Sequence, residues 1–140
     1  MKRYKIGYTT GTFDLFHIGH LNILKKSKEM CDFLIVGVST DEVVQSYKHK
    51  VPVIPFKDRV EIIKSIRYVD QVVPQLSMDK FQAWSELHFD VMFHGDDWKG
   101  SSLYNEYESR LKEVGVEVVY IPHTEGVSFS MLTDEIKYGK

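Results

Sequence analysis

The chain has 140 residues, 43% of them hydrophobic and 27% charged, and its formal net charge is −2 at pH 7. These values predict a single globular domain over residues 1–140, and they lack the basic excess that most nucleic-acid-binding proteins show. The single Cys31 excludes an internal disulfide, and neither a signal peptide nor a membrane-spanning run is apparent, so we expect a cytoplasmic protein that binds neither nucleic acid nor membrane.

Apolar runs rich in β-branched residues alternate with helical patterns along the chain. In chain order, we predict a strand at Tyr4–Tyr8, a helix at His20–Met30, a buried strand at Phe33–Ser39, a short helix from about Ser39–Asp41 to about Tyr47, a loop at Lys48–Pro55, a helix at Phe56–Ile66, a strand at Asp70–Pro74, a helix at Met78–His88, a strand at Asp90–Phe93, a helix at Ser102–Val114, a strand at Val116–Ile121 and a helix at Ser128–Tyr138. This alternation predicts a three-layer Rossmann-like α/β fold, with an open five-stranded parallel sheet and helices on both faces.

Polar, glycine-containing segments follow the predicted strands. They are Gly11–His20, Ser39–Asp41, His94–Trp98 and His123–Ser130. In open parallel sheets, ligands bind beyond the carboxyl ends of the strands, at the point where the strand order reverses. We therefore expect these segments to meet at one edge of the sheet and to form the binding site.

The segment from Gly11 to His20 is the most informative of the four. Two histidines, His17 and His20, flank Gly19 between a strand and a helix. Glycine lets the backbone approach a phosphate, and a helix N-terminus offers unpaired N–H donors at the positive end of its dipole. The segment therefore predicts a grip on the phosphates of a nucleoside triphosphate. Two alternatives are simple capping of the helix and a zinc site that adds His94.

Basic residues follow the second predicted strand. Lys48-His49-Lys50 lies in a loop, and Arg59 and Arg67 come later. They are interpreted either as a solvated surface or as a phosphate clamp, in which arginine would bind rigidly and lysine would act as a mobile charge. Arg67 could equally neutralise the carboxyl end of a helix.

Two further junctions carry polar groups. Asp96-Asp97 follows Gly95 and could bind a metal or a hydroxyl, or could simply form a turn, while Trp98 could be a wall of the site or part of the core. In His123–Ser130, Ser128 or Ser130 could cap the last helix, and exposed N–H groups there could meet a phosphate.

Together these motifs resemble a known family. The chain is similar to the nucleotidyltransferases that share the His-x-Gly-His motif, and most closely to the bacterial glycerol-3-phosphate cytidylyltransferases. The matching segments are Gly11–His20, Ser39–Glu42, Ile66–Asp70, Gly95–Trp98 and Glu125–Ser128. The resemblance implies transfer of CMP from CTP to a phosphorylated alcohol, glycerol 3-phosphate, with Mg²⁺ as cofactor and a homodimer as the assembly.

The resemblance also implies roles for individual residues. The expected catalytic residues are His17, His20 and Lys48. The expected nucleotide-binding residues are Gly11, Thr12, Phe13, Asp14, Gly19, Lys50, Gly95, His123, Thr124, Gly126, Val127 and Ser128. The expected substrate-binding residues are Arg59, Arg67, Asp97 and Trp98.

The last motif departs from the family pattern. His123 stands where the family has arginine, and Phe129 stands where it has threonine. These changes predict weaker CTP binding, a shifted helix start or a different acceptor. Ethanolamine phosphate, choline phosphate and sugar-alcohol phosphates remain alternative acceptors. An ATP-using adenylyltransferase and a nucleotide-binding module without catalysis are the alternative functions.

Overall fold

A computed structural model describes residues 3–96 and 99–124. In chain order the elements are β1 (Tyr4–Gly11), α1 (Ile18–Glu29), β2 (Cys31–Ser39), α2 (Asp41–Lys48), α3 (Phe56–Lys64), β3 (Gln71–Gln75), α4 (Lys80–Leu87), β4 (Val91–Gly95), α5 (Ser102–Glu113) and β5 (Glu117–Ile121). The predicted closing helix, Ser128–Tyr138, lies outside the described residues.

The strands form one parallel five-stranded sheet in the order β3-β2-β1-β4-β5. Thr9 of β1 pairs with Val36 of β2 on one side and with Phe93 of β4 on the other. The chain leaves β1 toward β2 and later returns to β4 on the opposite side, so the strand order reverses at β1. The predicted Rossmann-like fold is confirmed.

Two apolar layers hold helices against the sheet. Alternating residues of β2 separate them, because Val36 packs with Leu24 of α1 and Ile63 of α3, whereas Ile35 packs with Leu111 of α5. The second layer also contains Phe81, Trp84 and Leu87 of α4. Helices therefore cover both faces, as the apolar pattern predicts.

Two element boundaries differ from the sequence prediction in ways that shape the site. β1 extends three residues beyond Tyr8, because Thr9, Thr10 and Gly11 continue the ladder with β2. Helix α1 begins at Ile18 rather than at His20, because His17 caps its first turn. Between the two elements, residues 12–17 remain as the connecting loop.

None of the described residues form a helix long and apolar enough to cross a membrane.

Candidate active site

A cavity of about 310 Å³ opens at the carboxyl edge of the sheet. Its lining combines the ends of β1, β2, β3 and β4 with side chains of four helices and the loop after α2. The lining residues are Thr9, Thr10, Gly11, Thr12, Phe13, Asp14, His20, Ile23, Ser39, Val44, Tyr47, Lys48, Lys50, Pro52, Gln75, Met78, Lys80, His94, Gly95 and Tyr104. Eight of the predicted site residues belong to this wall: Gly11, Thr12, Phe13, Asp14, His20, Lys48, Lys50 and Gly95.

The two motif histidines form a reciprocal cap at the start of α1. Nδ1 of His17 accepts the backbone N–H of Gly19 at 3.0 Å, and Nδ1 of His20 accepts the backbone N–H of His17 at 3.1 Å. Their rings stack with centroids 3.9 Å apart. Since each Nδ1 is an acceptor, each neutral ring carries its proton on Nε2. Capping and ligand binding are therefore compatible, and neither Nε2 has a hydrogen-bond partner among the described residues.

Both histidines are held in the neutral form. Burial lowers the pKa of His20 to about 3, with further contributions from His17 and Lys48, and burial also lowers the pKa of His17. In addition, the rings of Phe13 and Phe16 pack against His20 at centroid distances of 5.6 Å and 5.4 Å. At pH 7 the pair consequently offers two neutral N–H donors in fixed positions rather than two cations.

The loop between β1 and α1 has a strained backbone, and contacts with the segment after α2 hold it in place. Phe13 and Leu15 have φ values of 55° and 48°, in the left-handed region that side chains disfavour. Phe13 is buried, and the carboxylate of Asp14 accepts the backbone N–H groups of Val53 and Ile54 at 2.6 Å and 2.8 Å. These contacts fix the loop between β1 and α1 against the segment that follows α2.

Arg59 supports the same loop from inside the protein. Its side chain is 0% exposed and donates to the carbonyl oxygens of Thr12, Ser39 and Ile54 and to the carboxylate of Asp41. The structure therefore gives Arg59 a supporting role. This is a correction to its expected place among the residues that touch substrate, because burial and four internal hydrogen bonds keep it away from the cavity.

The two predicted lysines, Lys48 and Lys50, line the cavity. Lys48 ends α2, and Lys50 follows in the loop. Burial of part of its side chain lowers the pKa of Lys48, against the opposing field of Asp14. Tyr47 anchors this end of α2 through a 3.1 Å hydrogen bond between its hydroxyl and that of Thr12. Lys48 is close enough to His20 for its positive charge to help lower the pKa of that histidine.

The chain after β5 meets the start of α1 and the end of β4. Asn22 donates to the hydroxyl of Thr124 at 2.9 Å, and Nδ1 of His123 lies 3.1 Å from a carboxylate oxygen of Asp96. His17 and Gly19, at the start of α1, are not among the described residues that line the cavity. The remaining predicted residues of these junctions, Asp97, Trp98, Gly126, Val127 and Ser128, lie outside the described part of the chain.

Arg67 is not at this cavity. It lies between α3 and β3, at the amino edge of the sheet, whereas the cavity is at the carboxyl edge. Its exposed guanidinium donates to the hydroxyl of Tyr68 at 3.0 Å. Within one chain, the fold does not bring the predicted substrate contact of Arg67 to the other site residues.

Several polar residues of the wall were missed in the sequence, among them Thr10, Gln75, Lys80 and Tyr104. Lys80 reaches from the start of α4 to Gln75 and Thr10, and Tyr104 of α5 faces His94 with ring centroids 4.9 Å apart. Lys80 follows Asp79, the N-cap of α4, a context typical of a solvated helix start. It is buried instead, with its Nζ bonded to Thr10 of β1 and Gln75 of β3.

The zinc alternative has no support in residues 3–96 and 99–124, where no three His, Cys, Asp or Glu side chains gather as a metal site. Magnesium requires less of the protein, because it commonly binds through substrate phosphates and one or two carboxylates. Among the described residues that line the cavity, Asp14 is the carboxylate, and its oxygens accept the backbone N–H groups of Val53 and Ile54. A magnesium ion there would therefore take most of its ligands from a bound molecule.

Comparison with known proteins agrees with this geometry. Residues 8–138 match the Cytidylyltransferase-like family. The chain belongs to the cytidylyltransferase-like family. The resemblance inferred from the motifs is thereby confirmed, and the protein is a nucleotidyltransferase.

Named relatives of this cytidylyltransferase-like protein include the glycerol-3-phosphate cytidylyltransferase of Bacillus subtilis (strain 168), 40% identical over 91% of this chain and 94% of that protein. The FAD synthase of Pyrococcus horikoshii is 39% identical over 81% of this chain and 77% of its own length. Among solved structures, a lipopolysaccharide core biosynthesis protein from Thermoplasma volcanium GSS1 has a TM-score of 0.72 and 26% identity, covering 86% of this chain and 97% of that one.

Proposed function

We propose that this protein is a glycerol-3-phosphate cytidylyltransferase, which transfers CMP from CTP to glycerol 3-phosphate and releases pyrophosphate. The observation that carries the proposal is the pair of Nε2–H donors at the N-terminus of α1, of which that of His20 belongs to a residue that lines the same cavity as Lys48. The 40% identity to the Bacillus subtilis enzyme over nearly its whole length supports the choice of substrates.

The chemistry needs alignment more than it needs a base. A phosphate oxygen of the acceptor forms a bond to the α-phosphorus of CTP, and the bond from that phosphorus to the bridging oxygen breaks, so that pyrophosphate leaves with the electron pair. The attacking oxygen is already anionic at neutral pH, and no proton has to be removed. The task of the site is to hold two anions in line and to stabilise the charge that shifts toward the leaving group.

His17, His20 and Lys48 suit that task in complementary ways. The neutral imidazoles donate hydrogen bonds from fixed positions, and their Nδ1 bonds to the backbone prevent the rings from turning away. Lys48 adds a positive charge on a flexible stem. The backbone N–H groups at the start of α1 and the positive end of its dipole add to the same field.

Magnesium belongs to this proposal as a companion of CTP. The triphosphate oxygens would supply most of its ligands. Asp14, the carboxylate among the described residues of the cavity wall, is the candidate ligand from the protein. When bound, the ion neutralises phosphate charge.

We also propose that the protein is a cytoplasmic homodimer. The apolar side chains of Val51 and Val53, which are 65% and 56% exposed, are candidate contacts between the two subunits.

Release of pyrophosphate tests the proposal. The purified protein is incubated with Mg²⁺ and either CTP or ATP, over a panel of glycerol 3-phosphate, ethanolamine phosphate, choline phosphate and a sugar-alcohol phosphate. We expect release with CTP and glycerol 3-phosphate, and much less with ATP. Release with ATP alone would instead favour the adenylyltransferase. CTP binding without release with any acceptor would favour a binding module, in which His123 and Phe129 have replaced functional groups.

A further inference from the structure

Tyr47 is a half-buried tyrosine in the last turn of α2, directly before Lys48. Gln45 and Ser46, which precede it in this turn, are exposed, whereas Tyr47 reaches another part of the chain. Its hydroxyl group pairs with that of Thr12 at 3.1 Å, and both residues line the cavity. Tyr47 thereby ties the end of α2 to the loop between β1 and α1.

This tie matters because α2 is short. It has 8 residues, and helices of fewer than about 12 residues are stable in water only when other parts of the protein hold them. The buried side chains of α2, Val43 and Val44, lie in its first half. The helix ends at His49, whose φ of 56° turns the chain into the following loop. Without the hydrogen bond between Tyr47 and Thr12, we expect the last turn to fray.

The direction of the Lys48 side chain depends on its neighbour. Among the described residues, the ammonium group of Lys48 has no hydrogen bond or ion pair, and its stem is flexible. Its Nζ lies 5.6 Å from the ring centroid of Tyr47, within the roughly 6 Å over which an aromatic face attracts a cation. Burial lowers the pKa of Lys48, and the carboxylate of Asp14 opposes this from a longer distance. The ring of Tyr47 therefore directs the ammonium group, and the Tyr47 hydroxyl fixes the ring.

We propose that Tyr47 is a positioning residue for the transfer: its hydroxyl, bonded to Thr12, fixes the ring, and the ring holds the ammonium group of Lys48 where phosphate charge develops. This inference rests on the proposed cytidylyl transfer. A charge stabilises a transition state only from the correct position, and a displacement of about 1 Å can lower a rate by about a hundredfold. Tyr47 then acts on kcat through Lys48 and needs no contact of its own with a substrate.

The first test removes single hydroxyl groups. Tyr47→Phe keeps the ring and loses the bond to Thr12. Tyr4→Phe is the matched control, because the Tyr4 hydroxyl is also hydrogen-bonded, to Glu117, but lies at the amino ends of β1 and β5. Pyrophosphate release is measured with CTP, glycerol 3-phosphate and Mg²⁺. Tyr47→Phe should lower kcat about tenfold and leave the KM for CTP within about twofold, while Tyr4→Phe should keep the wild-type values of both.

A double-mutant cycle shows whether Tyr47 acts through Lys48. The values of kcat are compared for wild type, Tyr47→Phe, Lys48→Met and the double variant. Tyr47→Phe should lower kcat about tenfold when Lys48 is present and less than about twofold in the Lys48→Met background. The same factor in both backgrounds would overturn the inference, because it would indicate a general structural effect or a direct contact of Tyr47 with a substrate.

A second variant keeps the test decisive if Tyr47→Phe fails to fold. Thr12→Val removes the partner hydroxyl at nearly constant shape, and it should lower kcat at least as much as Tyr47→Phe. A wild-type kcat in a folded Tyr47→Phe or Thr12→Val protein would overturn the inference. Absence of pyrophosphate release from the wild type with every acceptor would instead overturn the proposed function, and this inference with it, so wild-type release is measured first.

Discussion

His17 and His20 hold each other in place through the backbone of the first turn of α1: Nδ1 of His20 accepts the N–H of His17 at 3.1 Å, while Nδ1 of His17 accepts that of Gly19 at 3.0 Å. Each side chain thus caps the helix through Nδ1 and keeps its Nε2–H group available to a ligand. The same contacts that begin the helix fix the tautomer, which leaves both Nε2–H groups without a hydrogen-bond partner among the described residues. The structure thus shows the helix cap, and this cap is compatible with the phosphate binding that we propose.

Substitutions at His17 can separate these two roles. Asparagine is a good N-cap and lacks the Nε2–H donor, so His17→Asn should keep the thermal stability of the wild type but lower kcat by about 10²–10³. His17→Ala should lose activity to the same extent and also lose about 1 kcal/mol of stability. Thermal melts and pyrophosphate release give the two readouts. Near-wild-type turnover in His17→Asn would show that the ring is needed only as a cap.

The histidine pair also predicts a pH dependence of folding. The pKa of His20 falls to about 3 in the folded protein, from an ordinary value of 6.5. Between these values the unfolded state binds a proton that the folded state rejects, so stability is fully present above pH 6.5 and falls as the pH drops toward 3. Urea unfolding of wild type and His20→Asn at several pH values checks this. The difference between the two free energies of unfolding should shrink or reverse in acid, and a constant difference would contradict the buried neutral ring.

Much of the fold follows from local sequence patterns. The run Phe33–Ser39 predicts a buried central strand, and β2 is indeed flanked by β1 and β3. The Gly11–His20 segment is correctly assigned to the cavity because its placement after the first strand determines which sheet edge it reaches. These features depend on hydrophobic periodicity and on strand direction, both of which the sequence carries.

The residues that local patterns misassign are buried charges. Arg59 lies in Phe56-Lys57-Asp58-Arg59 and Lys80 follows Asp79, so both resemble exposed helix positions. Their burial depends on distant partners: Thr12 and Ser39 for Arg59, and Thr10 for Lys80. No local periodicity encodes contacts of that range, and Arg67, which is exposed, lies between Ile66 and Tyr68-Val69, a less polar context than that of Arg59.

Arg59 should be important for stability. Arg59→Met leaves three carbonyl oxygens and the Asp41 carboxylate without their donor, which we expect to cost roughly 2–5 kcal/mol of the free energy of unfolding. Arg67→Met is the matched control, because its guanidinium is exposed, and it should melt within a few degrees of the wild type. Equal melting temperatures for the two variants would contradict the supporting role of Arg59.

Lys80 predicts an alkaline gain in stability. Burial lowers its pKa from 10.5 to about 8, so between these values the unfolded state binds more protons than the folded state, and the free energy of unfolding rises with pH. The rise is about 3 kcal/mol, complete above pH 10.5 and absent below pH 8. The tyrosines contribute equally to the free energies of unfolding of wild type and Lys80→Met, so the difference between these two free energies reports Lys80 alone. A flat difference across this range would show that Lys80 is solvated.

We expect this cavity to join a cytidylyl group to glycerol 3-phosphate. The decisive measurement is mass spectrometry of the products formed from CTP, glycerol 3-phosphate and Mg²⁺, with His20→Asn as the inactive comparison. We expect CDP-glycerol and pyrophosphate in equal amounts from the wild type and at least about a hundredfold less from the variant. No CDP-glycerol from the wild type, or equal amounts from both proteins, would contradict it.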